Sequence, residues 1–78
     1  MKLPRDVSSD RLIRVLERLG YRMIRQKGSH ARLRHPGPPS HTITVPQHNR
    51  LKTGTLYGIL ADVARMRSKP VENLAGLL

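Results

Sequence analysis

The pair Gly28-Ser29 lies between two basic runs that both favour extended structure, Tyr21-Arg22-Met23-Ile24-Arg25-Gln26 before it and Ala31-Arg32-Leu33-Arg34-His35 after it. A two-residue connection of this kind reads as a hairpin closed by a type II′ turn, with Gly in the first, positive-φ position. Closing the hairpin there opposes Lys27 to His30, Arg25 to Arg32 and Met23 to Arg34. Because side chains alternate along a strand, Arg25, Lys27, His30, Arg32 and Arg34 then share one face, and Ile24, Ala31 and Leu33 take the other as core. Tyr21 and Met23 fall on the cationic face by the same parity, so either they pack at the sheet's edge or a bulge resets the register. Like charges opposed across a ladder cost stability. An imidazole ringed by cations is therefore a poor structural element and a good place for a phosphate.

The flanking sequence supplies something for that hairpin to pack on. Ser8-Ser9-Asp10 offers an N-cap with an acid in the first turn, and Leu12, Val15, Leu16 and Leu19 repeat at helical spacing before Gly20 ends the helix. After the hairpin, Pro36-Gly37-Pro38-Pro39-Ser40 cannot join a ladder and reads as a stiff loop. His41-Thr42-Ile43-Thr44-Val45 alternates polar and apolar, a third strand stopped by Pro46. Thr53 or Thr55 can cap a second helix with the stripe Leu56, Ile59, Leu60 and Val63, extended by Met66. Ser68 with Pro70 opens a short terminal helix carrying Val71, Leu74, Leu77 and Leu78. The expected architecture is α+β and two-layered: α-β-β-β-α with a three-stranded antiparallel sheet, a short C-terminal helix, and one sheet face left open.

At 78 residues the chain is read as a single domain, 1–78. With neither Phe nor Trp, its core rests on Leu, Ile and Val. The absence of cysteine excludes disulfides, thiolate metal sites and thiol nucleophiles. Fifteen Lys and Arg against five Asp and Glu leave a formal charge of +10, spread through the fold, which points to a polyanionic partner. No apolar run approaches a membrane span and no leader is evident, so a cytoplasmic location is expected.

His30 is the leading candidate for chemistry. Metal-free RNA cleavage needs a proton taken from a 2′-hydroxyl and one given to the leaving 5′-oxygen, and imidazole does either near neutral pH. The cations around it would hold the scissile phosphate and stabilise the charge that develops. His35 and His41 could face each other across the proline loop in structural roles, and His48 is a possible second proton carrier. The four histidines lack a carboxylate cluster or regular spacing, so no metal and no cofactor is expected. A second anion site is readable at Lys52-Thr53-Gly54-Thr55, where free N–H groups, two hydroxyls and a lysine coincide at a helix start. Tyr57 could stack on a base.

The run from Gly20-Tyr21 to Arg25-Gln26-Lys27-Gly28-Ser29-His30 resembles the hallmark of HicA toxins. The strand ending Val45-Pro46 and the segment Leu51-Lys52-Thr53-Gly54-Thr55-Leu56 followed by Ile59-Leu60 are similar to the same family in order and spacing, and the chain departs from it at Ala31, where a second histidine or a bulky apolar residue is common. The resemblance implies a double-stranded-RNA-binding-domain-like fold, mRNA cleavage with His30 as the essential histidine, and neutralisation by a HicB-type antitoxin. Arg25, Lys27, Gly28, Ser29, Arg32 and the Lys52–Thr55 helix start would then contact RNA. The competing reading is a non-catalytic module that binds duplex RNA through phosphates and 2′-hydroxyls.

Overall fold

The computed structural model describes residues 2–78. Its elements run α1 (Ser9–Arg18), β1 (Arg22–Lys27), β2 (His30–His35), β3 (His41–Pro46), α2 (Thr53–Arg67) and α3 (Val71–Ala75), the expected α+β order. The strands form one antiparallel sheet in the order β1-β2-β3.

Local chemistry accounts for the ends of α1. The Arg11 N–H donates to the Ser8 hydroxyl at 3.1 Å, so that of the expected capping segment Ser8-Ser9-Asp10 it is Ser8 that caps the helix. At the other end Gly20 takes φ +100°. Its N–H donates to the Glu17 carbonyl and the Tyr21 N–H to the Leu16 carbonyl, both at 3.0 Å, which is a Schellman motif. A Cβ on Gly20 would also lie 2.9 Å from Nε2 of His35, so the position is closed to other residues on two grounds. The motif aims Tyr21 inward, where it is buried against Leu16.

The core lies between the helices and one sheet face. Leu12, Ile13 and Leu16 of α1 and Leu56, Ile59, Leu60 and Val63 of α2 pack over Ala31, Leu33, Ile43 and Val45. The pairs Ala31↔Val45 and Leu33↔Ile43 face inward, whereas His30↔Pro46, Arg32↔Thr44 and Arg34↔Thr42 face out.

Five expectations need correction. The hairpin pairs Lys27↔His30 and Arg25↔Arg32 as predicted, but a bulge between Met23 and Arg25 shifts the rest to Met23↔Leu33 and Arg22↔Arg34. The bulge resets parity so that Tyr21 reaches the core, and it expels Ile24, which is 55% exposed rather than part of the core. At α2 the N-cap is Lys52, with no side-chain cap, so neither Thr53 nor Thr55 plays that part. Ser68 does not open α3; it ends α2 in the left-handed region at φ +54°, and Pro70 is the N-cap of α3. That helix stops at Ala75, leaving Leu77 and Leu78 beyond it.

Candidate functional site

The β1–β2 turn sets the site. Gly28 has φ +58° while Ser29 stays out of the positive-φ region, the pattern of a type II′ and not a type I′ turn. Nothing lies within 4 Å of a Cβ built on Gly28, so this glycine serves the backbone angle and not a close approach. The turn is tied to the exit of β3 by the Gln47 N–H, which donates to the Ser29 carbonyl at 2.6 Å.

On the open face next to this turn, Arg25, Lys27, His30, Arg32 and Thr44 line one shallow hollow. All five are exposed. Among the described residues no carboxylate forms an ion pair with any of these cations; the carboxylates that do pair are Asp6, with Arg50, and Asp62, with His41 and Arg65. The field of the hollow is thus uncompensated and favours an anion. Nδ1 of His30 lies 3.3 Å from the Ser29 hydroxyl, and Nε2 has no hydrogen-bond partner among the described residues.

The structure therefore brings Arg25, Lys27, His30 and Arg32 together, with Gly28 and Ser29 shaping the turn beneath them. Lys52, Thr53 and Gly54 line other hollows, shared with Lys2, Arg5, Arg50 and Tyr57. They lie at the same end of the molecule as the turn, because β3 delivers the chain there and residues 47–51 carry it to α2. The start of α1 joins this end: the Ser9 N–H donates to the His48 carbonyl at 2.9 Å and the Leu51 N–H to the Val7 carbonyl at 2.8 Å. His48 lies in that connection, outside the His30 hollow. Thr55 is half-buried in the first turn of α2.

Thr44 is the member that the sequence reading missed, although its signal was present. Once Ile43 and Val45 are assigned inward, Thr42 and Thr44 must face out beside Arg34 and Arg32. Ala31 is fully buried on the core side and takes no part in the site.

His35 and His41 do face each other, on the core side of the sheet. The Tyr21 hydroxyl meets Nδ1 of His41 at 2.6 Å, and Nε2 of that ring meets Asp62 at 3.0 Å. His35 presents Nδ1 as an acceptor to Arg67 at 2.7 Å and to the Gly37 N–H at 2.9 Å. Burial, and then the Arg67 charge, hold its pKa below the ordinary 6.5. Burial pushes the Tyr21 hydroxyl up from its ordinary value, and Arg67 only partly opposes this. These rings brace α2 and the proline loop against the sheet, and neither histidine lines the cationic hollow.

Comparison with known proteins adds one finding. A family model described as HicA toxin of bacterial toxin-antitoxin matches residues 9–64, from the start of α1 to near the end of α2, including the turn, the hollow and the Lys52–Thr55 segment. No curated protein and no solved structure matches the chain.

Proposed function

Since the chain belongs to the HicA toxin family of bacterial toxin–antitoxin pairs, we propose that it is an mRNA interferase that cleaves RNA with His30. The observation that carries the reading is the placement of one orientable imidazole among Arg25, Lys27 and Arg32 with no carboxylate pairing those cations among the described residues. In the proposed reaction the 2′-oxygen forms a bond to phosphorus and the bond from phosphorus to the 5′-oxygen breaks. Nε2 of His30 takes the 2′-hydroxyl proton or supplies the one that the 5′-oxygen needs. Arg25, Lys27 and Arg32 hold the phosphate and offset the charge gained in the transition state. The products would carry a 2′,3′-cyclic phosphate and a 5′-hydroxyl, without a metal or cofactor. Lys52 and the free N–H groups of Thr53, Gly54 and Thr55 would hold a more distant phosphate at the same end of the molecule.

The partner that restrains such a toxin would be a HicB-type antitoxin presenting carboxylates to Arg25, Lys27 and Arg32. Both the RNA and that partner would be met in the cytoplasm.

The decisive experiment compares the purified wild type with His30→Ala on RNA. The variant should stay folded, since His30 is exposed, while cleavage falls by 10²–10⁴-fold, the usual worth of one acid or base. RNA affinity should change little, and EDTA should not affect the wild type. Full cleavage by a folded His30→Ala protein would sink the assignment. If purified wild-type protein binds RNA but leaves it intact, the chain is the non-catalytic binding module.

A further inference from the structure

The cationic face does not stop at the His30 hollow. At the base of the hairpin, the end away from the turn, a second hollow wraps the sheet edge, lined by Arg22, Ile24 and Arg34 from the open face and by Glu17, Tyr21 and His35 from the helix side, with Pro36 beside them. By removing Ile24 from the ladder, the bulge sets Arg22 opposite Arg34 and leaves the isoleucine side chain 55% exposed beside them. Neither arginine pairs with a carboxylate among the described residues. Glu17 supplies one negative charge to the rim, and His35, its pKa lowered by burial and by Arg67, supplies no positive one near neutral pH. Two guanidiniums against one carboxylate leave the hollow cationic, with apolar surface from Ile24 and Pro36 next to it.

The three outward pairs Lys27/His30, Arg25/Arg32 and Arg22/Arg34 form rungs along the hairpin. Strand residues rise about 3.3 Å each, so His30 and Arg34 are separated by about 13 Å along β2. We infer that the second hollow is a nucleotide subsite for the same RNA strand whose cut phosphate lies at His30. Arg22 and Arg34 take a phosphate two rungs away from His30, and Ile24 with Pro36 offers an apolar surface to the adjoining base. Phosphate contacts position a strand and an apolar platform accepts any base face, so the subsite fixes the register of the substrate more than its sequence. The inference rests on the reading of the chain as an RNA-cleaving toxin, and it assigns residues to which that reading gives no part.

The test measures binding, so that it does not depend on cleavage. On the His30→Ala protein, affinity is determined for single-stranded oligoribonucleotides of increasing length, beginning with the dinucleotide, and again with Arg22→Ala and Arg34→Ala added. Affinity should step up when the strand becomes long enough to reach the second hollow. The two alanines should remove that step, roughly a tenfold loss for long strands, and leave the shortest ones almost unaffected. Ile24→Ser should reduce the step in part, and Arg34→Lys should restore some of it relative to Arg34→Ala. A uniform loss at all lengths would mean that the arginines act through the general field, and the subsite would be overturned. So would a smooth rise of affinity with length and no step. Failure to bind RNA at any length would instead bring down the RNA reading itself.

Discussion

The histidines of this chain are put to different uses, and hydrogen-bond partners separate them. His30 meets one weak neighbour, the Ser29 hydroxyl, and is otherwise open. His35 accepts twice at Nδ1, from a guanidinium and a backbone N–H, an arrangement that a proton on that nitrogen would destroy. Its pKa is lower in the folded chain than the ordinary 6.5, so the unfolded chain binds the proton more readily. Stability from this group is therefore complete above about pH 6.5 and is lost as pH falls toward the lowered folded value. Asp62 gives a second, more acidic window. Burial raises its pKa, but hydrogen bonds and charge from His41 and Arg65 outweigh that and bring it below 3.8, so its share is lost below that pH. Urea midpoints should thus fall between pH 7 and pH 5 and again in stronger acid. His35→Asn keeps an acceptor without a titrating ring and should flatten the first decline. An unchanged decline in that variant would remove His35 from the effect.

Among the elements, the hairpin and the start of α2 both contain a glycine that the sequence marks as functional, and the two differ in kind. Gly28 needs its positive φ, and Gly54 sits in the first turn of a helix; neither is crowded. Substitution by alanine should then have opposite signs. Gly28→Ala forces an L residue into a left-handed angle and should cost about 1–2 kcal/mol. Gly54→Ala restricts the unfolded chain at a compatible position and should add about 0.4–1 kcal/mol. Chemical denaturation of both variants checks the pair. A neutral Gly28→Ala would mean that the turn relaxes to another type, which would also move His30. The bulge is the other element of consequence, since it turns an exposed isoleucine and a pair of arginines into one end of a continuous outward face.

At the scale of the molecule, charge and layer coincide. The principal extents are 31 × 31 × 18 Å, and the thin dimension holds one sheet and one layer of helices. The three strands carry Arg22, Arg25, Lys27, Arg32 and Arg34, and none of the five acids. Asp10, Glu17, Asp62 and Glu72 all lie on the helices, and Asp6 precedes α1. The open face is thus a cationic plane, with the acids on the helices and only Glu17 reaching its rim, suited to a polyanion or to an acidic protein. Affinity of the His30→Ala protein for single-stranded RNA should fall with a log–log salt slope of about −0.7 per phosphate neutralised, and Lys27→Ala or Lys52→Ala should each reduce the slope by about that much. A slope near zero would remove the backbone-contact reading. The same plane should speed docking of an acidic antitoxin at low salt. If alanine at Arg25, Lys27 and Arg32 left that association rate unchanged, inhibition would act elsewhere.

What the amino-acid order determined by itself was most of what short-range geometry governs. Turn chemistry at Gly28-Ser29, the Ser8 cap, the Gly20 stop and the helical stripes gave the element order, and alternation gave the faces of β2 and β3, because each depends on residues a few positions apart. Parity along β1 was different. Whether Tyr21 or Ile24 faces inward depends on what lies beneath, and with the bulge in place the tyrosine fills the space next to Leu16, His35 and His41. The cap of α2 likewise could not be read locally: two threonines offer an acceptor within three residues, yet the helix begins after Lys52, whose side chain cannot accept from a helix N–H. Of the candidate site, the cations and His30 were legible from the hairpin alone. Alternation alone turns Thr44 outward, but its place opposite Arg32, the separation of Lys52 from the His30 hollow, and the setting of Arg22 opposite Arg34 came from the packing of the sheet against its helices, because long-range register decides which exposed residues share a surface.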